Sequence, residues 1–316
     1  MSTFFSALGV LAPVLFVLAL GYCAGRMKRF DSDQVAGLNE LVLGYALPAL
    51  LFVGIARAPR AALFSEAPFV LALLVAGLGL FVAVALVSVF LLRHTLSAAA
   101  IQSASVTLSN VGFAGVAILT PLFGQDSLLS IAVAALVLNV TIIPVMVTML
   151  EYDRHRSLGG GVRLGALIGR SVADSFSQPY VWAPLLALIL VLLGVRVPKE
   201  IDSMLALIGS ATGGAALFVA GIILAAFRIT VTFETVGNTL VKVVVQPVIM
   251  ALLVIAFGIA QPLRAEAIVI CALSSAVVCP MLAVRYKAYQ AEAASTLLLT
   301  TLAMVVAVPI AITLAR

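Results

Sequence analysis

The sequence predicts an all-α membrane protein with ten transmembrane helices, arranged as two inverted five-helix repeats in which crossover helices 4 and 9 are broken. The composition, the spacing of the charges and an internal repeat support this prediction. Of the 316 residues, 64% are hydrophobic and 10% are charged, whereas soluble domains carry roughly 25% charged residues. Ten spans of about 20 residues need roughly 200 mostly apolar residues. A soluble fold of this composition would expose large apolar patches, so the soluble, disordered and disulfide-scaffold classes are excluded.

Charged residues divide the chain into ten long uncharged runs. Most of these runs reach the roughly 18 residues that a transmembrane helix needs, and the second does so when Leu38 to Glu40 form its first turn. The runs are Ser2–Gly25, Leu41–Ala56, Ala67–Leu92, His94–Gln125, Ser127–Leu150, Ser175–Val195, Ser203–Phe227, Val243–Leu263, Ala267–Val284 and Ala293–Ala315.

The positive charges predict the orientation of the spans. Loops after odd-numbered spans carry twelve of the 18 Lys and Arg residues, and the remaining segments carry six. Because positive charge accumulates on the cytoplasmic side, we expect both termini outside a bacterial cytoplasmic (inner) membrane. Lys242, about one turn inside span 8, is expected to extend to the cytoplasmic interface. No basic block is interleaved with aromatic residues, so nucleic acid is not an expected partner.

The two halves of the chain resemble each other in order. Each half holds five spans, an odd number, so the second repeat enters the membrane from the opposite face. Inverted repeats of this kind are characteristic of secondary transporters. The expected units are a first repeat over 1–150, a cytoplasmic linker over 151–178 and a second repeat over 179–316. The matching segments, at offsets of 165 to 171 residues, are Ala12-Pro13 with Ala183-Pro184, Leu51-Phe52 with Leu217-Phe218, and Pro144 with Pro309.

The linker contains Leu158-Gly-Gly-Gly followed by an amphipathic stretch, Val162 to Phe176. This pattern predicts a hinge and an interfacial helix. A solvated linker is the alternative.

Spans 4 and 9 each contain residues that favour a break near the bilayer centre. Gly112 in span 4 and Pro280 in span 9 are related by the repeat offset, and Ser and Asn residues flank Gly112. A broken membrane helix must face protein or water, so we expect the two breaks to meet inside the protein. Half-helix N-termini carry about half a positive charge each and suit an anionic ligand such as a carboxylate.

These breaks define the candidate substrate-binding residues. Amides of Asn110 and Asn139 are expected to donate to carboxylate oxygens, with Ser side chains as supporting donors. Each candidate also has an alternative role. The small residues could serve helix packing, Asn139 could bond a neighbouring helix, and Cys279 could be an apolar packing residue. The candidate set is Asn110, Asn139, Ser109, Gly112, Ser274, Ser275, Cys279 and Pro280.

Enzyme signatures are missing from the sequence. It contains no Walker A, HExxH or CxxC motif, and His94 and His155 both lie near loops. Acidic residues lie near predicted span ends, as expected from the cost of at least about 2.5 kcal/mol for a charge at mid-membrane. We therefore expect no catalytic residues, no cofactor and no metal.

Several segments resemble the auxin efflux carrier family, in particular its bacterial members. The segments are Leu38 to Phe52, Ser109 to Gly115, Pro121 to Gly124, and Gln178-Pro179. The resemblance implies a scaffold domain, a transport domain and a homodimer. It also implies a carboxylate substrate, malonate or auxin-like, contacted by the matching Asn110 and Asn139. The sequence departs from the family pattern at Cys279-Pro280, which no Asn flanks.

Together these features predict a secondary transporter of small organic anions with an elevator-type alternating-access mechanism. Its expected partners are a small carboxylate, membrane lipid, and a coupling ion that is H⁺ or Na⁺. Two rivals remain open. The first is a sodium-coupled symporter of the bile acid type, in which Gln102 and Gln246 could coordinate Na⁺. The second is a membrane sensor that binds an anion without transporting it.

Overall fold

The computed structural model describes residues 2–157, 164–227 and 229–315, which form fourteen helices and no β-strand. Six of these helices are long and apolar enough to cross a membrane, and the pair α8 and α9, bent by 73°, would make a seventh. This confirms an all-helical, multi-pass membrane protein. The helices are α1 Ser2–Arg26, α2 Ser32–Ala56, α3 Arg60–Ser65, α4 Ala67–Leu91, α5 Leu96–Thr107, α6 Val111–Phe123, α7 Ser127–Ser157, α8 Leu164–Ser177, α9 Pro179–Leu192, α10 Lys199–Ala226, α11 Phe233–Ala256, α12 Leu263–Ala272, α13 Val278–Tyr286 and α14 Gln290–Ala315.

Predicted spans 4 and 9 are each two short helices separated by a break, and the two breaks meet. Helices α5 and α6 are separated by Leu108 to Asn110, and α12 and α13 by Leu273 to Val277. Asn110 N–H donates to the Ser274 carbonyl (2.9 Å), and Ala276 N–H donates to the Leu108 carbonyl (3.0 Å). This short antiparallel bridge satisfies backbone groups that the breaks release, which a buried site in a membrane protein requires.

The predicted helix breakers lie just after the breaks and not within them. Gly112 is inside α6, where a Cβ atom would lie 2.9 Å from Leu47 Cδ2. A larger residue here would require the end of the Leu47 side chain on α2 to shift. Pro280 is the third residue of α13, a position whose N–H needs no intrahelical partner.

Two helix pairs pack the two halves of the chain against each other. Helix α1 packs along the second part of α10, and α9 packs on the second part of α2. The first pair is very close, because a Cβ atom on Gly21 would lie 2.1 Å from the Phe218 carbonyl oxygen. Gly221 is equally constrained, with its Cβ position 2.2 Å from the Leu18 carbonyl oxygen. Contacts between small residues of this kind are typical of membrane helix interfaces.

The segment between the predicted repeats is mostly helical. Helix α7 continues through Glu151 to Ser157, so the first seven residues of the expected linker are helical. The predicted glycine hinge, 158–163, lies outside the described residues. Beyond it, α8 matches the predicted interfacial helix in position and meets α9 at an angle of 73°.

Candidate functional site

A cavity of about 150 Å³ lies beside the crossing of the two breaks. Its polar lining comes from Asn39 on α2, Ser109 and Asn110 in the first break, Asn139 on α7 and Tyr180 on α9. The remaining wall is mainly aliphatic, and none of the described residues lines it with a charged side chain. The cavity thus combines a few convergent polar groups with an apolar wall, as small-molecule sites do.

The Asn110 side chain offers an available hydrogen-bonding group to this cavity. Its backbone is fixed, since the carbonyl accepts from Ala114 and Gly115 N–H at 3.0 and 3.1 Å. The residue is 8% exposed, yet within the described chain its amide makes no hydrogen bond. The amide atoms are open to the cavity and not enclosed by protein, so they can form hydrogen bonds to a ligand there.

Asn39 and Asn139 add further amides to the same cavity. Asn39 Oδ1 is buried and has no hydrogen-bond partner in the described part of the chain. Asn139 Nδ2 donates to the Ala135 carbonyl one turn earlier (2.6 Å). A carboxamide has two N–H donors, so Asn139 keeps one for a ligand.

Helix termini give the cavity its polarity. The first turns of α6 and α13 both line it, through Val111 to Phe113 and through Val278 and Met281. Each helix N-terminus carries about half a positive charge. Two termini therefore face the cavity with about one positive charge in total, and no lining carboxylate offsets it. An anion is the ligand that this arrangement favours.

The opposite side of the crossing holds a fully buried lysine. Lys242 on α11 is 0% exposed. Its Nζ donates to Ser109 Oγ (2.7 Å), to Gln246 Oε1 (2.6 Å) and to the Cys271 carbonyl (3.3 Å). Gln246 Nε2 in turn donates to the Thr107 carbonyl (2.8 Å). Thr107 and Cys271 lie at the C-terminal ends of α5 and α12, so this side of the crossing has the negative helix ends.

The expectation that Lys242 extends to the cytoplasmic interface is wrong. Its ammonium lies at the crossing, where hydrogen bonds to three oxygens offset the cost of removing the charge from water. The sequence contains a signal that could have found this site. Lys242 and Gln246 are four residues apart on an apolar helix, which places both on one face, and intramembrane charges usually face the protein interior.

The predicted site residues separate into two groups. Ser109, Asn110, Gly112 and Asn139 line the cavity. The cavity is not lined by Ser274, Ser275, Cys279 or Pro280. The Ser274 carbonyl accepts from Asn110 N–H, and Ser275 N–H donates to Thr300 Oγ1 (3.0 Å). Cys279 and Pro280 are buried within α13.

A larger cavity of about 530 Å³, here called the vestibule, adjoins the first. The two cavities share Asn139, Ile143, Tyr180 and Val278 in their walls. The rest of the vestibule lining includes positive side chains from three helices, Arg154, Arg170 and Arg285. The same lining holds the carboxylates of Glu151 and Asp174, so the three arginines leave a small excess of positive charge along the wall that a ligand passes on its way to Asn139.

A third cavity, about 750 Å³, is lined by three carboxyl groups, those of Glu66, Asp126 and Glu266. Ser130 Oγ donates to Glu266. Glu66 is 7% exposed, and its Oε2 has no partner among the described residues. Burial, and secondly the charge of Glu266, raises the pKa of Glu66 to about 7. No group of three or more potential metal ligands occurs in the described part of the chain.

Apolar membrane-length helices and a buried cavity between half-helix N-termini together define a class, the multi-pass membrane transport proteins. The sequence profile of the family described as "Membrane transport protein" matches residues 6–159 and 164–312. The chain belongs to this family, the auxin efflux carrier family.

Two relatives are similar over nearly their whole lengths. An "Uncharacterized transporter YfdV" of Escherichia coli (strain K12) is 34% identical over 323 residues, which cover 100% of this chain and 99% of the relative. A "Putative malonate transporter" of Rhizobium meliloti (strain 1021) is 24% identical over 303 residues, 95% of this chain and 93% of the relative.

Proposed function

We propose that the protein is a secondary transporter of small organic anions, carboxylates such as malonate or auxin-like acids. The observation that carries the proposal is the Asn110 amide, which has no hydrogen-bond partner among the described residues and lines a cavity between two half-helix N-termini. There the amide and the helix ends favour a carboxylate together, since hydrogen bonds to an ionised group are among the stronger ones. The relative named as a putative malonate transporter supports this substrate class.

The proposed topology has ten spans in two inverted five-helix repeats. The paired breaks of α5/α6 and α12/α13 support it, as does the packing of α1 on α10 and of α9 on α2. In each of these two pairs, the first span of one repeat contacts the second span of the other. The excess of Lys and Arg after odd-numbered spans supports termini outside the inner membrane.

The proposed mechanism is an elevator-type motion with alternating access. The moving part contains the crossing and the flanking helices α7 and α14, and the static scaffold contains α1, α2, α9 and α10. The cavity supports this division because its walls come from both parts: α2 and α9 on one side, the crossing and α7 on the other. The family resemblance further implies that the scaffolds associate in a homodimer.

The sodium-coupled symporter is the weaker candidate. Its sequence-based support came from Gln102 and Gln246, which could coordinate Na⁺. Gln246 is engaged on both sides, since its oxygen accepts from Lys242 and its nitrogen donates to the Thr107 carbonyl. Gln102 is engaged only through Nε2, which donates to Asn238 Oδ1 (3.0 Å), and its Oε1 has no partner among the described residues.

Transport of labelled malonate in proteoliposomes tests the proposal. Asn110→Ala removes a hydrogen bond to a charged group, which is worth about 1.5–3 kcal/mol, so kcat/KM should fall about tenfold to a hundredfold. Asn139→Ala should cause a smaller loss, because that amide is partly engaged. Thr313→Ala is the control and should transport normally, because this side chain is exposed and, among the described residues, bonds only to the Ile310 carbonyl.

Normal transport by both Asn variants would refute the assigned site. Saturable malonate binding to the wild type without flux into sealed vesicles would instead identify a sensor.

A further inference from the structure

We infer that the Lys242 ammonium is a built-in cation that occupies the position where a coupling Na⁺ would bind at the crossing. The protein then binds no Na⁺ there. If the proposed function holds, anion transport proceeds without Na⁺. The transport part of this inference rests on the proposed function, whereas the ion-binding part does not.

The contacts of Lys242 are those of a cation site. Its three oxygens are a hydroxyl, an amide oxygen and a backbone carbonyl, at 2.6 to 3.3 Å from Nζ. These neutral oxygens are of the kinds that coordinate hard cations. An ammonium has three N–H donors, so the three acceptors match it in number.

The orientation of the Gln246 amide is set by its partners. Its nitrogen faces the Thr107 carbonyl, which can only accept, and its oxygen faces the Lys242 ammonium, which can only donate. Gln246 therefore links the lysine to the end of α5, while the Cys271 carbonyl links it to the end of α12.

The charge at this point is balanced by Lys242 alone. Two helix C-termini contribute about half a negative charge each, which one ammonium offsets. Within the described residues, no Asp or Glu lies in ion-pair contact with Lys242. A Na⁺ beside the lysine would add an unbalanced charge in a buried site that the side chain already fills.

Removing the ammonium should therefore create a cation site. Lys242→Ala leaves Ser109 Oγ, Gln246 Oε1 and the Cys271 carbonyl around an empty volume, next to two negative helix ends. Lys242→Met fills the same volume with an uncharged chain and leaves no room for an ion. Both variants lack the charge of Lys242, and they differ only in whether the side chain fills the volume that it occupied.

The test measures binding of radioactive sodium to the full-length protein in nanodiscs, and its Tm in sodium chloride and in choline chloride. We expect no saturable sodium binding by the wild type, by Lys242→Met or by the exposed control Lys199→Ala. Lys242→Ala should bind sodium saturably and gain Tm in sodium, because a ligand specific to the folded state stabilises it. Malonate flux by the wild type should be equal in sodium and in choline.

Saturable sodium binding by the wild type would overturn the inference, as would wild-type flux that requires sodium. A folded Lys242→Ala that binds no sodium would overturn it as well. If Lys242→Ala does not fold, the wild type and Lys242→Met decide, since both must lack sodium binding. Absence of malonate flux in every medium would count against the proposed function and leave the sodium-binding result unchanged.

Discussion

Glu66 should make the stability of the protein fall as the pH rises. Its carboxyl group is buried at the start of α4, in the same cavity as Glu266, and its pKa is raised to about 7 from an ordinary value of 4.5. Because the folded state holds the proton more tightly than the unfolded state, the stabilisation is fully present below about pH 4.5. It is lost as the pH rises through about 7.

The size of the effect follows from the pKa shift. One pKa unit corresponds to about 1.4 kcal/mol, so full ionisation of Glu66 should cost up to about 3 kcal/mol. Glu66→Gln carries a neutral amide at every pH and escapes this cost. The variant should match the wild type near pH 4.5 and exceed its stability increasingly up to about pH 8.

Thermal unfolding of the purified protein between pH 4.5 and 8 measures this difference. Glu200→Gln, an exposed carboxyl group in the first turn of Lys199–Gly209, is the matched control and should follow the wild type at every pH. A constant difference in Tm between Glu66→Gln and the wild type over this range would refute the reasoning, because the carboxyl group would then not titrate there.

Two further predictions concern packing and the approach of the anion. Gly21→Ala places a Cβ atom 2.1 Å from the Phe218 carbonyl oxygen and should therefore lower Tm clearly. The control Gly9→Ala should leave Tm unchanged, because nothing lies within 4 Å of its Cβ position. Equal Tm values for the two variants would contradict the close contact of α1 and α10. Arg285→Gln removes a positive charge from the vestibule and should raise KM for malonate, by an amount that shrinks as added salt screens the charge. Lys28→Gln is the control and should leave KM unchanged. Equal KM values for both variants would contradict a role of vestibule arginines in the approach of the anion.

The existence of the two breaks could be predicted from the sequence, but their positions could not. Small and polar residues in a hydrophobic span indicate that its helix cannot continue, and spans 4 and 9 both show them. The break positions depend on a non-local contact, the bridge between Ser109 and Ser275. The sequence pattern does not encode which residues pair in that bridge. As a result, Gly112 and Pro280 were assigned to the breaks and lie just beyond them.

The two sides of the crossing differ in how far the sequence reveals them. Asn110 can be identified from the sequence because it lies beside the predicted break and its amide can donate to a carboxylate. Lys242 was assigned to the interface because its distance along the chain from the predicted span end favours that position. Its actual place depends on how α11 packs against the ends of α5 and α12. Asn39 was missed for a similar reason, because only the packing of α2 beside the crossing brings it to the cavity.

The most direct test of the central claim is an experimentally determined structure of the full-length protein with malonate bound. The account predicts one malonate carboxylate in the cavity, in contact with the Asn110 amide and with the first turns of α6 and α13. Malonate bound only elsewhere, with this cavity unoccupied, would contradict the claim that the meeting half-helix ends form the anion site.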